Sequence, residues 1–137
     1  MTTRKTESET ITMGSETILV VDDEKMLLEV SRDMLELLEF LGYRVYAAGS
    51  GQEAIAVYME KQKEIDLVLL DMIMPGISGG ETFDRLLGIN SEIRVLLFSG
   101  YSINGQAQEI LDRGCSGFIQ KPFQIENLSQ KVREMLD

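Results

Sequence analysis

The chain alternates between short apolar runs and longer stretches in which apolar residues recur every three or four positions. The runs "TILVV" (17–21), "YRVYAA" (43–48), "IDLVLL" (65–70), "IRVLLF" (93–98) and "SGFIQ" (116–120) have the length of single strands and are apolar or rich in β-forming residues. Between them, Leu27, Val30, Met34, Leu37 or Leu38, and Leu41 step by three and four along a first helix. Ala54, Ile55 and Tyr58 mark a second helix, Phe83, Leu86 and Leu87 a third, and Ile110 and Leu111 a fourth. Ile125, Leu128, Val132 and Met135 repeat the spacing in a fifth. Gly42 and Gly114 stand where helices should stop. Five strands alternating with five helices predict a parallel sheet covered on both faces. The nearly unbroken apolar runs of strands one, three and four agree, since central parallel strands are buried on both sides.

In sheets of this kind, ligands bind at the carboxyl ends of the strands, near the point where the strand order reverses. Strand one is followed by Asp22 and Asp23, strand three by Asp71, strand four by Ser99 and strand five by Lys121. Each has a plainer reading. Asp22 or Asp23 could cap the helix beginning near Glu24, and Asp71 could be a turn residue ahead of Pro75 and Gly76. Ser99 opens the loop "SGYSING", and Lys121 could be an ordinary exposed lysine. Their coincidence at four strand ends favours one shared rim. Carboxylates set close together stay ionised at neutral pH only if a cation joins them. Hard oxygen ligands with room left for water suit Mg²⁺. Such an ion beside Asp71, with Lys121 and Ser99 to meet further oxygens, is the minimum kit for phosphoryl transfer. An aspartate is a competent acceptor, giving an acyl phosphate. The chain contains no His, so the phosphoryl group cannot be held on a histidine of this chain.

Composition narrows the picture further. The 137 residues suffice for one domain and one core, and 44% hydrophobic content is that of an ordinary globule. No apolar run approaches the roughly 18–20 residues of a membrane span. Residues 1–15, "MTTRKTESETITMGS", are polar and lack the apolar segment of a secretory signal. They read as a disordered tail, a linker or a vector remnant, leaving 16–137 as the folded domain. The lone Cys115 fits a reducing cytoplasm. A net charge of −10, from 13 basic and 23 acidic residues and without a basic cluster, argues against direct nucleic-acid binding. The Gly-rich "GSG" (49–51) and "GISGG" (76–80) lack the Gly-Lys-Ser/Thr ending of a P-loop and read as turns.

The stretches "ILVVDDE", "LVLLDMIMPGISGGE", "VLLFSGY" and "GFIQKPF" resemble, in order and in strand context, the receiver domain of two-component response regulators, over about residues 16–137. The resemblance implies a flavodoxin-like (βα)5 doubly wound five-stranded sheet, order 2-1-3-4-5. It implies Asp71 as phosphoacceptor, with Mg²⁺ (Mn²⁺ as a substitute) held by Asp23, Asp71 and the backbone carbonyl of Ile73, and Asp22 helping through water. Lys121 would contact the phosphoryl group, and its bond to Pro122 would be cis. Ser99 and Phe118 would form the switch, the hydroxyl moving toward the new phosphoryl oxygens and the ring swinging inward. That would bias the face built from helix four, strand five and helix five. For Phe118 a plain core role is the alternative. The stretch "EKMLLEVSRDMLELLEFLGY" is about one helical turn longer than is usual in receivers, and Gly100 stands where many have Ala. Ile73 and Tyr101 flank the site where side chains shield it from attacking water.

A receiver is a signalling domain that assists its own phosphorylation and dephosphorylation, not a free-standing enzyme. Its partners would be a sensor histidine kinase or a histidine phosphotransfer domain, with transient homodimerisation compatible and no role for nucleic acid or membrane. "GYSINGQAQEILDRGCSGFIQKPF" is similar to receivers at the C-terminus of hybrid sensor histidine kinases, so origin within such a kinase or a larger regulator is expected. A stand-alone single-domain regulator and a degenerate receiver acting only as an interaction module are the alternatives. A haloacid-dehalogenase-like phosphatase would need a second acid where Ile73 stands. A flavodoxin would need a hydroxyl-rich loop where Asp22, Asp23 and Glu24 stand. The cognate kinase, stimulus, output and phosphoryl lifetime have no signature in the sequence.

Overall fold

The structure is a computed structural model that describes residues 14–22, 36–71, 79–99, 105–112, 114–120 and 125–137. Five strands, β1 (Thr17–Val21), β2 (Arg44–Ala48), β3 (Leu67–Asp71), β4 (Val95–Ser99) and β5 (Gly117–Gln120), form one parallel sheet in the order β2-β1-β3-β4-β5. Helical residues 36–40 (α1) precede β2, and α2 (Gly51–Lys61), α3 (Gly79–Ile89), α4 (Gly105–Asp112) and α5 (Ile125–Leu136) follow β2, β3, β4 and β5. This is the doubly wound arrangement that the resemblance implies. Of the first helix, Leu27, Val30 and Met34 lie outside the described residues.

Parity along the strands divides the core into two layers. Leu19, Val21, Val68, Leu70, Val95 and Leu97 pack with Ala54 and Tyr58 of α2, Phe83 and Leu86 of α3 and Ile110 of α4. The alternate residues Ile18, Val20, Leu67, Leu69, Leu96 and Phe98 pack with Leu38 of α1 and with Leu128 and Val132 of α5. Every residue of β1 and β3 is buried, as expected of strands covered on both sides. The edge strand β2 is mostly half-buried or exposed.

Four strands, β2 to β5, start later than the apolar runs that announce them, and three of the delays have a local cause. Tyr43 is drawn into the end of α1, where its N–H donates to the Leu38 carbonyl (3.1 Å) while Gly42 N–H donates to Glu39 (3.0 Å). This is a Schellman stop, and Gly42 supplies its left-handed residue at φ +102°. Gly114 (φ +112°) repeats the motif after α4, with Cys115 N–H donating to Ile110 and Gly114 N–H to Leu111. The buried pairs Leu38 with Tyr43 and Ile110 with Cys115 are the apolar contacts that accompany such stops. Asp66 stays outside β3 because its carboxylate accepts the Thr17 N–H (2.9 Å) while its own N–H donates to the Thr17 carbonyl (2.8 Å). Ser116 works the same way beside β4, its hydroxyl accepting from Val95 N–H (3.3 Å) and its N–H donating to Val95 (3.0 Å). At the other helix ends the "GSG" turn proves to be a cap. Ser50 Oγ accepts the Glu53 N–H (3.1 Å), and the Glu53 carboxylate returns to Gly49 N–H (2.6 Å).

Two glycines of opposite character make a paired test. A Cβ on Gly88, inside α3, meets nothing within 4 Å, whereas one on Gly42 lies 2.3 Å from the Gly14 carbonyl oxygen at a positive φ. Gly88→Ala is expected to stabilise the fold by about 0.5–1 kcal/mol, through helix propensity and the lost freedom of the unfolded chain. Gly42→Ala should destabilise it by at least ~1–2 kcal/mol. Urea unfolding of the two variants checks both signs.

At the amino-terminal edge of the sheet, Arg133 of α5 donates to Glu16 Oε1 (2.8 Å), to Tyr43 OH (3.5 Å) and to the Asp137 carboxylate. The bond from Arg133 holds the Glu16 carboxyl below its ordinary 4.5, against a smaller opposing effect of burial. A lowered value in the folded state means that the unfolded chain binds the proton more readily. The stabilisation from Glu16 is therefore complete above 4.5 and lost as the pH falls through the folded value. The stability difference between wild type and Glu16→Gln should accordingly be present at pH 7 and vanish on acidification. Urea unfolding from pH 7 to 3 measures it. On the other layer, Cys115 is buried with its thiol directed at the Val95 carbonyl (3.1 Å), and burial pushes its pKa up.

Candidate functional site

β1 and β3 are neighbours in register, with Val21 opposite Leu70. The residue that follows each is an acid. Asp22 therefore stands level with Asp71 at the carboxyl edge of the sheet, on strands spaced about 4.8 Å apart. Both are inside the protein, Asp22 being 2% exposed and Asp71 4%. Asp22 N–H donates to the Ala48 carbonyl (3.0 Å), carrying the β1–β2 ladder one step beyond the strand and fixing the backbone that bears the carboxylate. Asp71 belongs to β3 itself, paired with Phe98 of β4. Its place in the alternation is that of Leu67 and Leu69, toward the layer of α1 and α5.

Ser99 is the last residue of β4, one step beyond the Asp71–Phe98 pair and opposite Gln120. Strands three and four thus each run one residue further than their apolar runs, and Asp71 and Ser99 are strand residues. Phe118 lies on β5, opposite Leu97, half-buried and packed against the layer of α2, α3 and α4. Asp22, Asp71 and Ser99 are in this way brought to the ends of three adjacent strands. Asp23, Ile73, Lys121 and Pro122, like Gly100 and Tyr101, lie outside the described residues.

Two carboxylates buried side by side are electrostatically costly unless a cation or several donors meet them. Asp22 Oδ1 is buried with no hydrogen-bond donor among the described residues, although both acids are engaged in other interactions. Hard carboxylate oxygens at the mouth of a sheet fit Mg²⁺ better than a softer ion. Among the described residues no group of three or more acidic, thiol or imidazole side chains comes together, and Asp22 and Asp71 are the part of the expected set that these residues include. The opposite edge of the sheet carries a separate cleft of about 530 Å³ beside Tyr58, Asp66, Asn90 and Arg94, remote from the acids. The anchoring roles of Asp66 and Arg133 were not read from the sequence. Asp66 carries a weak signal, an acid at the head of an apolar run. Arg133 carries none, because its partner Glu16 is 117 residues away.

Comparison with known proteins agrees with the fold. The sequence profile of the response regulator receiver domain matches residues 18–133. The sensor kinase CckA of Brucella abortus is 33% identical over 134 residues, covering 98% of this chain and 14% of the kinase. The sporulation initiation phosphotransferase F of Bacillus subtilis is 32% identical over 127 residues, covering 90% of this chain and 96% of that protein. The chain also spans about half the length of several transcriptional regulators that it matches. Among solved structures, the response regulator TrrA of Thermotoga maritima in complex with Mg²⁺ and BeF superposes with a TM-score of 0.74 at 30% identity, covering 88% of this chain and 99% of TrrA.

Proposed function

This chain belongs to the response regulator receiver family of two-component signalling, and from that premise we propose that Asp71 is its phosphoacceptor. The observation that carries the reading is the pair of buried acids, Asp22 and Asp71, level at the ends of neighbouring strands with Ser99 on the next. A carboxylate oxygen of Asp71 attacks the phosphorus of a phospho-histidine on a sensor kinase or phosphotransfer protein. The N–P bond breaks, its electron pair returns to the imidazole, and an acyl phosphate remains on Asp71. Asp22, Asp23, Asp71 and the carbonyl of Ile73 would hold Mg²⁺, with Mn²⁺ as a substitute. When bound, the ion supplies charge neutralisation at the incoming phosphoryl oxygens. Lys121 neutralises another oxygen, and Ser99 donates a hydrogen bond to a third. A buried acceptor at the end of a rigid strand keeps the attacking oxygen in line and limits access by water.

Phosphorylation would then draw on Ser99 and Phe118 to shift the face of α4, β5 and α5 between two arrangements. The domain would assist its own phosphorylation and dephosphorylation, work in the cytoplasm and be open to transient pairing with a second copy. Among the described residues no helix is long and apolar enough to cross a membrane. Likeness to the Brucella sensor kinase supports a receiver carried by a hybrid kinase. Likeness to the sporulation phosphotransferase is the corresponding support for the alternative, a stand-alone single-domain regulator.

The test is intact-mass spectrometry after incubation with acetyl phosphate. One added phosphoryl group, dependent on Mg²⁺ and absent from Asp71→Asn, is the expected result. No adduct under any condition, together with no binding of beryllofluoride, would make the chain an interaction module and remove this mechanism.

A further inference from the structure

The segment before β1 is seated on the rest of the protein at several points. Gly14 N–H donates to the Leu41 carbonyl at the end of α1 (2.9 Å), and Arg44 N–H donates to the Glu16 carbonyl (3.0 Å). Gly14 lies so close to the Tyr43 ring that a Cβ on it would fall 2.2 Å from Cε1. Tyr43 is itself buried, and its hydroxyl meets Arg133. Arg133 closes the set through Glu16 and Asp137, with only 19% of its side chain exposed. A few residues further along, Arg94 at the start of β4 donates to the Leu136 carbonyl (2.9 Å). Met135 Sδ stands 3.2 Å from where a Cβ on Gly117 would be. The last turns of α5 are therefore held between the segment 14–16 on one side and the start of β5, next to Phe118, on the other.

We propose that Gly14–Glu16 is a strap, seated on Tyr43 and clasped by Arg133, that sets the position of α5. A shift of Gly14–Glu16 is thereby passed to α5 and the start of β5, and the reverse. Three features give the strap this reach. Its seat leaves no room for a Cβ at position 14, its clasp is a side chain only 19% exposed, and that side chain belongs to the same helix whose Leu128 and Val132 fill the core and whose Met135 touches β5. The pair Lys131–Glu134 (3.8 Å), on the same helix, reaches no third charged group among the described residues and serves as the control. Transmission to the phosphorylated state rests on the function proposed above, whereas the strap itself does not.

Hydrogen–deuterium exchange on the full chain tests both parts. In the free protein, Arg133→Met and Glu16→Gln should each speed exchange at Gly14–Glu16 and in the last turn of α5 by roughly two- to fivefold, with no change in Lys131→Met. The double variant should gain less than the product of the two single effects. Independent, multiplicative effects, or acceleration confined to the mutated element, would overturn the strap. With Mg²⁺ and beryllofluoride as the probe, the wild type should change protection at Gly14–Glu16 as well as at the ends of β3 and β4, and Arg133→Met only at the latter. A rim that responds while Gly14–Glu16 stays silent would overturn the transmission. A rim silent to beryllofluoride would remove the functional reading, and the free-protein comparison would still decide the strap.

Discussion

Asp71→Asn is expected to abolish phosphoryl uptake while making the folded protein more stable in chelator. The two effects have one cause. Asp22 and Asp71 are both almost fully buried and stand level on adjacent strands. Two like charges about 5–6 Å apart at an effective dielectric constant near 20 repel by about 3 kcal/mol. Asparagine removes the charge and keeps the shape, at the expense of some hydrogen bonding to the carboxylate. The net gain in EDTA should be about 1 kcal/mol, because both acids are engaged in other interactions that already offset part of the repulsion. Mg²⁺ should reverse the ranking. An ion that binds only the folded state adds RT ln(1 + [L]/Kd), or about 2.7 kcal/mol at a hundredfold excess over Kd, and the Asp71→Asn variant would forgo most of it. Urea unfolding of both proteins, with EDTA and with Mg²⁺, reads all four stabilities. Equal stabilisation of the two by Mg²⁺ would take Asp71 out of the metal site.

The largest loss of stability is expected from Phe98→Ala. Phe98 is fully buried, it is paired with Asp71 in register, and it packs in the layer that α1 and α5 cover with Leu128 and Val132. Removing the ring costs its transfer free energy and leaves a cavity that the sheet cannot readily collapse into, since Phe98 is paired with Asp71 on one side and Ile119 on the other. A loss of about 3–5 kcal/mol follows, a large share of the roughly 5–15 kcal/mol that holds a domain together. Phe98→Leu, which refills most of the space, should cost about 1–1.5 kcal/mol. A loss under ~1 kcal/mol for the alanine variant would mean that this layer is loosely packed beneath the rim.

How far these features could be read beforehand differs from element to element. The five runs that become β1 to β5 announce themselves because each is short, apolar and bounded by polar residues, and Gly42 and Gly114 announce the stops they make. The strand ends are less legible. Whether Asp71 and Ser99 close a strand or open a loop depends on pairing with Phe98 and Gln120, which are distant in sequence. In the same way, nothing in "YRVYAA" says that Tyr43 is claimed by α1. An unbroken run such as "LVLL" cannot say which residue faces which layer, because both layers are apolar. For the site, Asp22 and Asp71 are legible as acids following strands, and the structure sets them level and buried. Asp66 and Arg133 were missed because their roles lie in backbone ladders and in contacts across the whole chain, which leave no local pattern.

The split of alternate strand residues between two layers gives the sheet something like a reading frame. Loss of Leu67 would send each of the apolar side chains after it to the opposite layer, where another Leu or Val is the usual occupant, so the core would keep its aliphatic character. The acid at the end would notice a great deal, because it would arrive on the wrong side of the sheet, away from Asp22. Loss of two residues would restore the side but leave the acid short of the rim. A core that tolerates almost any aliphatic order thus depends on a strict count only at the terminal carboxylate. Drift in the frame would therefore silence the chemistry well before it weakened the fold.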